Sequence, residues 1–382
     1  MLKSYRISHL IAGFVAVLIG YTGSVAIVFQ AAQAAGATPE QINSWLLVLG
    51  LGVGICCIGL SLWYREPVLA AWSTPGAALL VSNLAGFTMP EAIGAFLLTG
   101  LLIFVTGISG LFDRFARLVP NALTSALLAG ILLRFGLDAF VQLESEPLLV
   151  GSMFVAYFIA LRLFSRYAVP LTLLVGGAVA AALGLFDTQS IELGFAQPVW
   201  TTPRFTWSAV VGITLPLYFI TMASQNVPGI AVLRSSGYQT PVSPLIAWTG
   251  LVTTAVSPFG GFAINLAAIT AAICAGEEAD KNPKTRYLAA VSAGIFYLLA
   301  ALFGATIATL LTASPPALVL AIAGIALLST IMNSLAASVE ETSERTAVGV
   351  TFLVAASGIS FVGIGAAFWA LVAGLVIWRI FK

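Results

Sequence analysis

Apolar runs recur along the whole chain. Long ones cover roughly 8–34, 45–63, 90–111, 147–164, 169–186, 207–233, 284–311, 316–338 and 361–380, and shorter or broken ones cover 67–85, 119–141, 244–257, 258–275 and 345–358. Many reach about 20 residues, the length at which a helix crosses a hydrocarbon core. They are continuous rather than alternating, so they predict spanning helices and not the strands of a membrane β-barrel. The expectation is an all-α polytopic membrane protein with fourteen transmembrane segments. Composition agrees, with 60% hydrophobic and only 8% charged residues, against about 25% charged in a soluble domain.

Charge adds orientation. Fourteen of the sixteen basic residues, among them Lys3, Arg6, Arg65, Arg114, Arg117, Arg162, Arg166, Arg234, Lys281 and Lys382, fall at the two ends or after even-numbered segments. Glu40, Glu91, Glu144, Glu146, Asp187 and Glu192 collect on the other side. By the positive-inside rule both termini are then cytoplasmic. The basic start "MLKSYRISH" reads as the flank of a first span rather than of a removed leader. A net charge of +1 suggests no nucleic-acid partner. Cys56, Cys57 and Cys274 sit inside apolar runs as core hydrophobes, without metal spacing. No phosphate loop, metal cluster or nucleophile–base pair suggests an enzyme, and no cofactor is expected.

The pattern also hides a repeat. Segment 1 carries "YTGSVAIVFQAAQAAG" and segment 8 "NVPGIAVLRSSG". Segment 3, "PVLAAWSTPGAALLVSNLAG", and segment 10, "PFGGFAINLAAITAAICAG", both open at a proline and carry a polar residue seven positions on, Thr74 and Asn265. The pairs are seven segments apart. Seven is odd, so the second copy enters from the opposite side, giving a 7+7 inverted repeat.

Segments 3 and 10 are too interrupted for continuous helices. Irregular backbone at membrane depth must be buried in protein or line a cavity. Ser73 or Thr74 is expected to cap a half-helix beginning at Pro75, and Asn265 to cap the one after "PFGGFA". Two half-helix N-termini meeting near the midplane would make an anion site without a cationic side chain. Gly76, Gly260 and Gly261 allow close approach. Gln225 and Asn226 are adjacent amides in mid-span, suited to orienting a polar ligand group or to bonding between helices.

At "STPGAALL", "ASQNVPGIAVLR" and "SPFGGFAINLAAITAAICAG" the chain resembles the BenE-type benzoate/proton symporters of bacterial inner membranes, over nearly its whole length. More distantly it is similar to uracil-permease-like and sulfate-permease-like carriers. That resemblance implies a core, or transport, domain at 1–111 and 207–311, and a gate, or scaffold, domain at 112–206 and 312–382. It implies elevator-like alternating access and dimers through the gate domain. It places a benzoate-like anion against Tyr21, Ser24, Ser73, Thr74, Pro75, Gly76, Gln225, Asn226, Gly261, Phe262, Ala263, Ile264 and Asn265. Nucleobase carriers of this fold keep a carboxylate in segment 8 and a polar residue before the asparagine of segment 10. Gln225 and Ile264 stand there instead, favouring an aromatic acid with its ring near Phe262 and Ile264. Another small anion or a nucleobase is the alternative cargo.

Proton coupling has no obvious carrier. Asp138, four residues after Arg134, is suited to a helical ion pair. His9, the single histidine, lies near the start of segment 1.

Overall fold

The computed structural model describes residues 5–112, 120–187, 194–277, 279–361 and 364–381. Of the charges used above for orientation, Lys3, Arg114, Arg117, Glu192 and Lys382 lie outside them. Segment 1 is two helices, α1 (Ile7–Thr22) and α2 (Val25–Ala34), stacked into one apolar span of 28 residues. Then come α3 (Pro39–Tyr64), strand β1 (Ala70–Trp72), α4 (Thr74–Asn83), α5 (Met89–Ile108), α6 (Asn121–Ser145), α7 (Pro147–Leu163) and α8 (Ala168–Ala182).

The second half opens with α9 (Trp207–Ser235), interrupted by π turns at Val210–Thr214 and Met222–Asn226. It continues with α10 (Val242–Val256), strand β2 (Ile264–Leu266) and α11 (Ile269–Ala275). The run expected as one span over 284–311 is two helices, α12 (Tyr287–Leu302) and α13 (Gly304–Ala313), broken at Phe303. The chain ends in α14 (Pro316–Ser338), α15 (Arg345–Ser357), a hairpin of β3 (Ser360–Phe361) and β4 (Ile364–Gly365), and α16 (Ala366–Phe381).

Helices start where caps and prolines allow. Thr38 accepts from the Gln41 N–H, Gln41 bonds back to the Thr38 N–H, and Pro39 fills a first-turn position that needs no donor. At α5 the Glu91 carboxylate accepts from both the N–H and the hydroxyl of Thr88, and Pro90 fills a first-turn position.

α3 packs along α12, α1 along α12 and α5 along α10, while α6 packs along α14 and α15. Small residues permit this closeness. Gly54 and Gly294 face each other so tightly that a methyl on either would lie 2.9 Å from the other's carbonyl oxygen. Large apolar side chains such as Ile108, Leu174 and Trp207 stay exposed on the outside, where lipid would cover them.

Candidate functional site

The two broken segments meet. β1 and β2 pair antiparallel, with Ala70 opposite Leu266, Ala71 opposite Asn265 and Trp72 opposite Ile264. The Ser73 N–H continues the ladder to the Ala263 carbonyl at 3.0 Å, and the Ala267 N–H to the Leu69 carbonyl at 2.9 Å. A two-stranded ribbon leaves both outer edges open, and inside a membrane protein those groups need partners.

Side chains supply them. On the β1 edge, Cys57 Sγ accepts from the Ala70 N–H at 3.2 Å, and Ser61 Oγ donates to the Val68 carbonyl at 2.9 Å. On the β2 edge, Thr253 Oγ1 accepts from the Ile264 N–H and Asn226 Oδ1 from the Leu266 N–H, each at 2.9 Å. Asn226 Nδ2 donates to Met222 Sδ. Asn226 therefore welds the π turn of α9 to the ribbon, the interhelical role open to it from the start. Gly229, one turn on, lets α9 approach Leu266 and Ala267.

Asn265 does not cap a helix. It is the middle residue of β2, and α11 starts three residues later from Ala268. Ser73 does cap: its Oγ accepts from the Gly76 N–H at 3.0 Å and from Thr221 Oγ1 at 3.2 Å. The helix it caps begins at Thr74, with Pro75 second. Pro75 has no N–H and Ala77 N–H bonds to the Ser73 carbonyl, so these bonds leave Thr74 as the first-turn donor not taken up.

Strand alternation sorts the candidates between two faces. Trp72 and Ile264 share one. Trp72 stacks edge-on with Tyr21 and Tyr297, at 5.3 and 5.8 Å between centroids, and donates to Ser24 Oγ at 2.9 Å. Ile264 runs to Gly52, Val252 and Val256, away from the other face. Phe262 is sealed in a cluster with Trp45 and Phe96. The ring contacts expected of Phe262 and Ile264 are thus core packing. Gly261 lies against Val256, and Ala263 adopts a strained φ of +39°.

Ala71 and Asn265 share the opposite face. Ala71, Thr74 and Gln225 are half-buried. The Asn265 side chain is fully buried, its Nδ2 donating to the Ala263 carbonyl at 3.0 Å and its Oδ1 bonding nothing. Tyr21 Oη and Gln30 Nε2 are the other two unpartnered buried side-chain polar atoms among the described residues. Cys57, expected only as a core hydrophobe, and Thr253, Trp72 and Thr221 take structural roles that single residues in apolar runs do not announce.

The buried histidine and the buried carboxylate lie elsewhere. His9 is fully buried, and both ring nitrogens are occupied. Nδ1 accepts from the Arg6 N–H at 3.0 Å, which places the proton on Nε2, facing Asp280 Oδ2 at 3.0 Å. Asp280 also accepts from Asn282 N–H, Arg6 Nη1 and Thr285 Oγ1. These donors, the Asn282 N–H foremost, hold its carboxyl below the usual carboxylate range. A lowered folded pKa contributes stability above the unfolded value that is lost as pH falls through the folded one. Asp280→Asn should therefore cost about 1–2 kcal/mol at neutral pH and flatten the acid limb of thermal stability, as read by thermal unfolding in detergent. Arg134 and Asp138 pair loosely at 3.9 Å on an exposed face of α6.

Relatives locate the chain. The family model described as "Benzoate membrane transport protein" matches residues 3–380. A protein of Acinetobacter baylyi named benzoate membrane transport protein is 36% identical, covering 98% of this chain and 95% of its own. The inner membrane protein YdcO of Escherichia coli is 50% identical over 96% of this chain and 93% of its own. Among solved structures, the transmembrane domain of a cyanobacterial bicarbonate transporter, BicA, matches with a TM-score of 0.62 at 12% identity, covering 98% of this chain and 96% of that one. SLC26A9 matches with a TM-score of 0.65 at 12% identity, covering 100% of this chain and 66% of that one. At such identity these likenesses show the fold, which is the 7+7 inverted repeat. The family consists of transporters, not enzymes. Matched from residue 3 to residue 380, the chain belongs to the BenE benzoate membrane transport family.

Proposed function

We propose that this protein imports benzoate or a similar aromatic carboxylate together with protons across a bacterial inner membrane, by alternating access, with both termini cytoplasmic. The observation that carries the reading is the buried β1–β2 ribbon joining the two broken segments, with the unpartnered Asn265 oxygen on one face. The name of the Acinetobacter relative supports the substrate class. Residues 1–111 and 207–311 act as the transport domain and carry the ribbon past a gate domain of residues 112–206 and 312–382, which also forms the dimer contact. Substrate lies against Thr74, Gln225 and Asn265. Ser73, Pro75 and Gly76 set the start of α4, Asn226 and Gly261 to Ile264 hold the ribbon, and Tyr21 and Ser24 back it through Trp72. The alternative is another small anion or a nucleobase as cargo, the former favoured by the bicarbonate transporter of like fold.

The test is uptake of labelled benzoate into proteoliposomes under an imposed proton gradient. Saturable, gradient-driven uptake competed by substituted benzoates is expected, and competition by uracil or bicarbonate instead would transfer the assignment to the alternative. Thr74→Val and Gln225→Ala should each reduce uptake about tenfold, the worth of one ligand hydrogen bond, with folded yield unchanged. Wild-type uptake by both would remove them from the site.

A further inference from the structure

The orphan oxygen of Asn265 has a defined chemistry. The Ala263 carbonyl can only accept, so the amide nitrogen must face it, and the atom left free is the acceptor Oδ1. A buried acceptor without a donor is costly. A carboxylate ion cannot relieve that cost, because it brings only further acceptors. A carboxylic acid can, through its O–H.

We infer that the cargo is held at Asn265 as the neutral, protonated acid, its carboxyl O–H donating to Asn265 Oδ1, so that the transported proton rides on the substrate. This rests on the substrate reading proposed above. The surroundings supply no rival proton site. β2 packs against β1, α3, α10 and the Met222–Asn226 turn. β1, α10 and that turn bear no titratable side chain. α3 bears Cys56 and Cys57, which are buried, and Glu40 and Tyr64 at its two ends. Among the described residues the one buried carboxylate is Asp280, which already accepts four donors, beyond the end of α11. His9 has no free lone pair. Loading a neutral acid on the acidic side and releasing it on the alkaline side, where it ionises, couples one proton to each substrate with no net charge moved.

Equilibrium binding by calorimetry on the purified full-length protein, from pH 5 to pH 8, tests this with three probes. If the neutral acid is bound, the apparent Kd for total benzoate rises about tenfold per pH unit, as the binding-competent fraction falls. Benzamide, a neutral isostere with an N–H donor, should bind with no pH dependence and compete with benzoate. Benzenesulfonate, a permanent anion, should do neither. Asn265→Ala should weaken benzamide at least about tenfold. Benzoate binding that is flat with pH and competed by benzenesulfonate but not by benzamide would overturn the inference while leaving the aromatic-carboxylate reading intact. Failure of all three probes to bind at any pH would remove that reading and this inference with it. The probe panel on the unaltered protein decides the matter even if the Asn265 variant folds poorly.

Discussion

Gly260→Ala is expected to cost about 3 kcal/mol, the upper end of overpacking in a rigid core, and to leave little folded protein after solubilisation. Gly260 ends the single turn at Ser257–Phe259 with φ at +97°. A methyl group there would run into the indole of Trp45. Trp45 cannot yield, because it is 1% exposed and wedged against Phe96 and Phe262. The left-handed backbone adds its own cost for any residue with a Cβ. Gly36 separates the two effects. Its φ is +70°, but nothing lies within 4 Å of the position a Cβ would take. Gly36→Ala should therefore cost only about 1 kcal/mol, the left-handed penalty alone. Thermal unfolding of both variants is the measurement, and equal losses would mean that contact with Trp45 contributes nothing.

The second large effect concerns the outer edge of β2. Asn226→Leu removes the acceptor of the Leu266 N–H, and Thr253→Val that of the Ile264 N–H. Both N–H groups are buried where water does not reach, so each change should cost about 2 kcal/mol. The double variant should lose enough ribbon order to abolish uptake. The signature differs from that of Asn265→Ala. Edge variants should lower thermal stability first and transport as a result, whereas Asn265→Ala should weaken ligand binding in a protein that still melts near the wild-type temperature. A double variant with unaltered melting would show that the edge finds other partners.

The breaks in segments 3 and 10 were legible in the sequence because proline and glycine punctuate apolar runs whatever surrounds them. Ser73 was legible for a similar local reason: a hydroxyl before "TPG" is a cap signal, and the cap bond forms. Asn265 was misread by the same logic. An asparagine before an apolar run also reads as a cap, yet "INL" pairs with "AAW" from the other half of the chain. No local pattern announces that pairing, since it depends on which distant segment comes alongside. The two-face sorting follows from the pairing, and so does the reversal for Ile264, whose side chain points into the core. Cys57 and Thr253 were hidden because a small polar residue in an apolar helix looks like packing until a strand edge is placed beside it.

The β1–β2 pairing also bears on how the protein is made. β1 is synthesised early, but the backbone groups of Leu69 and Ser73 find their partners only at Ala267 and Ala263. Cys57 and Ser61 can hold one edge of β1 as soon as α3 is in place. The other edge must wait while about half of the chain still emerges. Domains generally form in order of synthesis, and contacts between distant residues form late. On that order the first repeat would wait in the bilayer as an unfinished half, with β1 open on one side, until the tenth segment arrives and closes it.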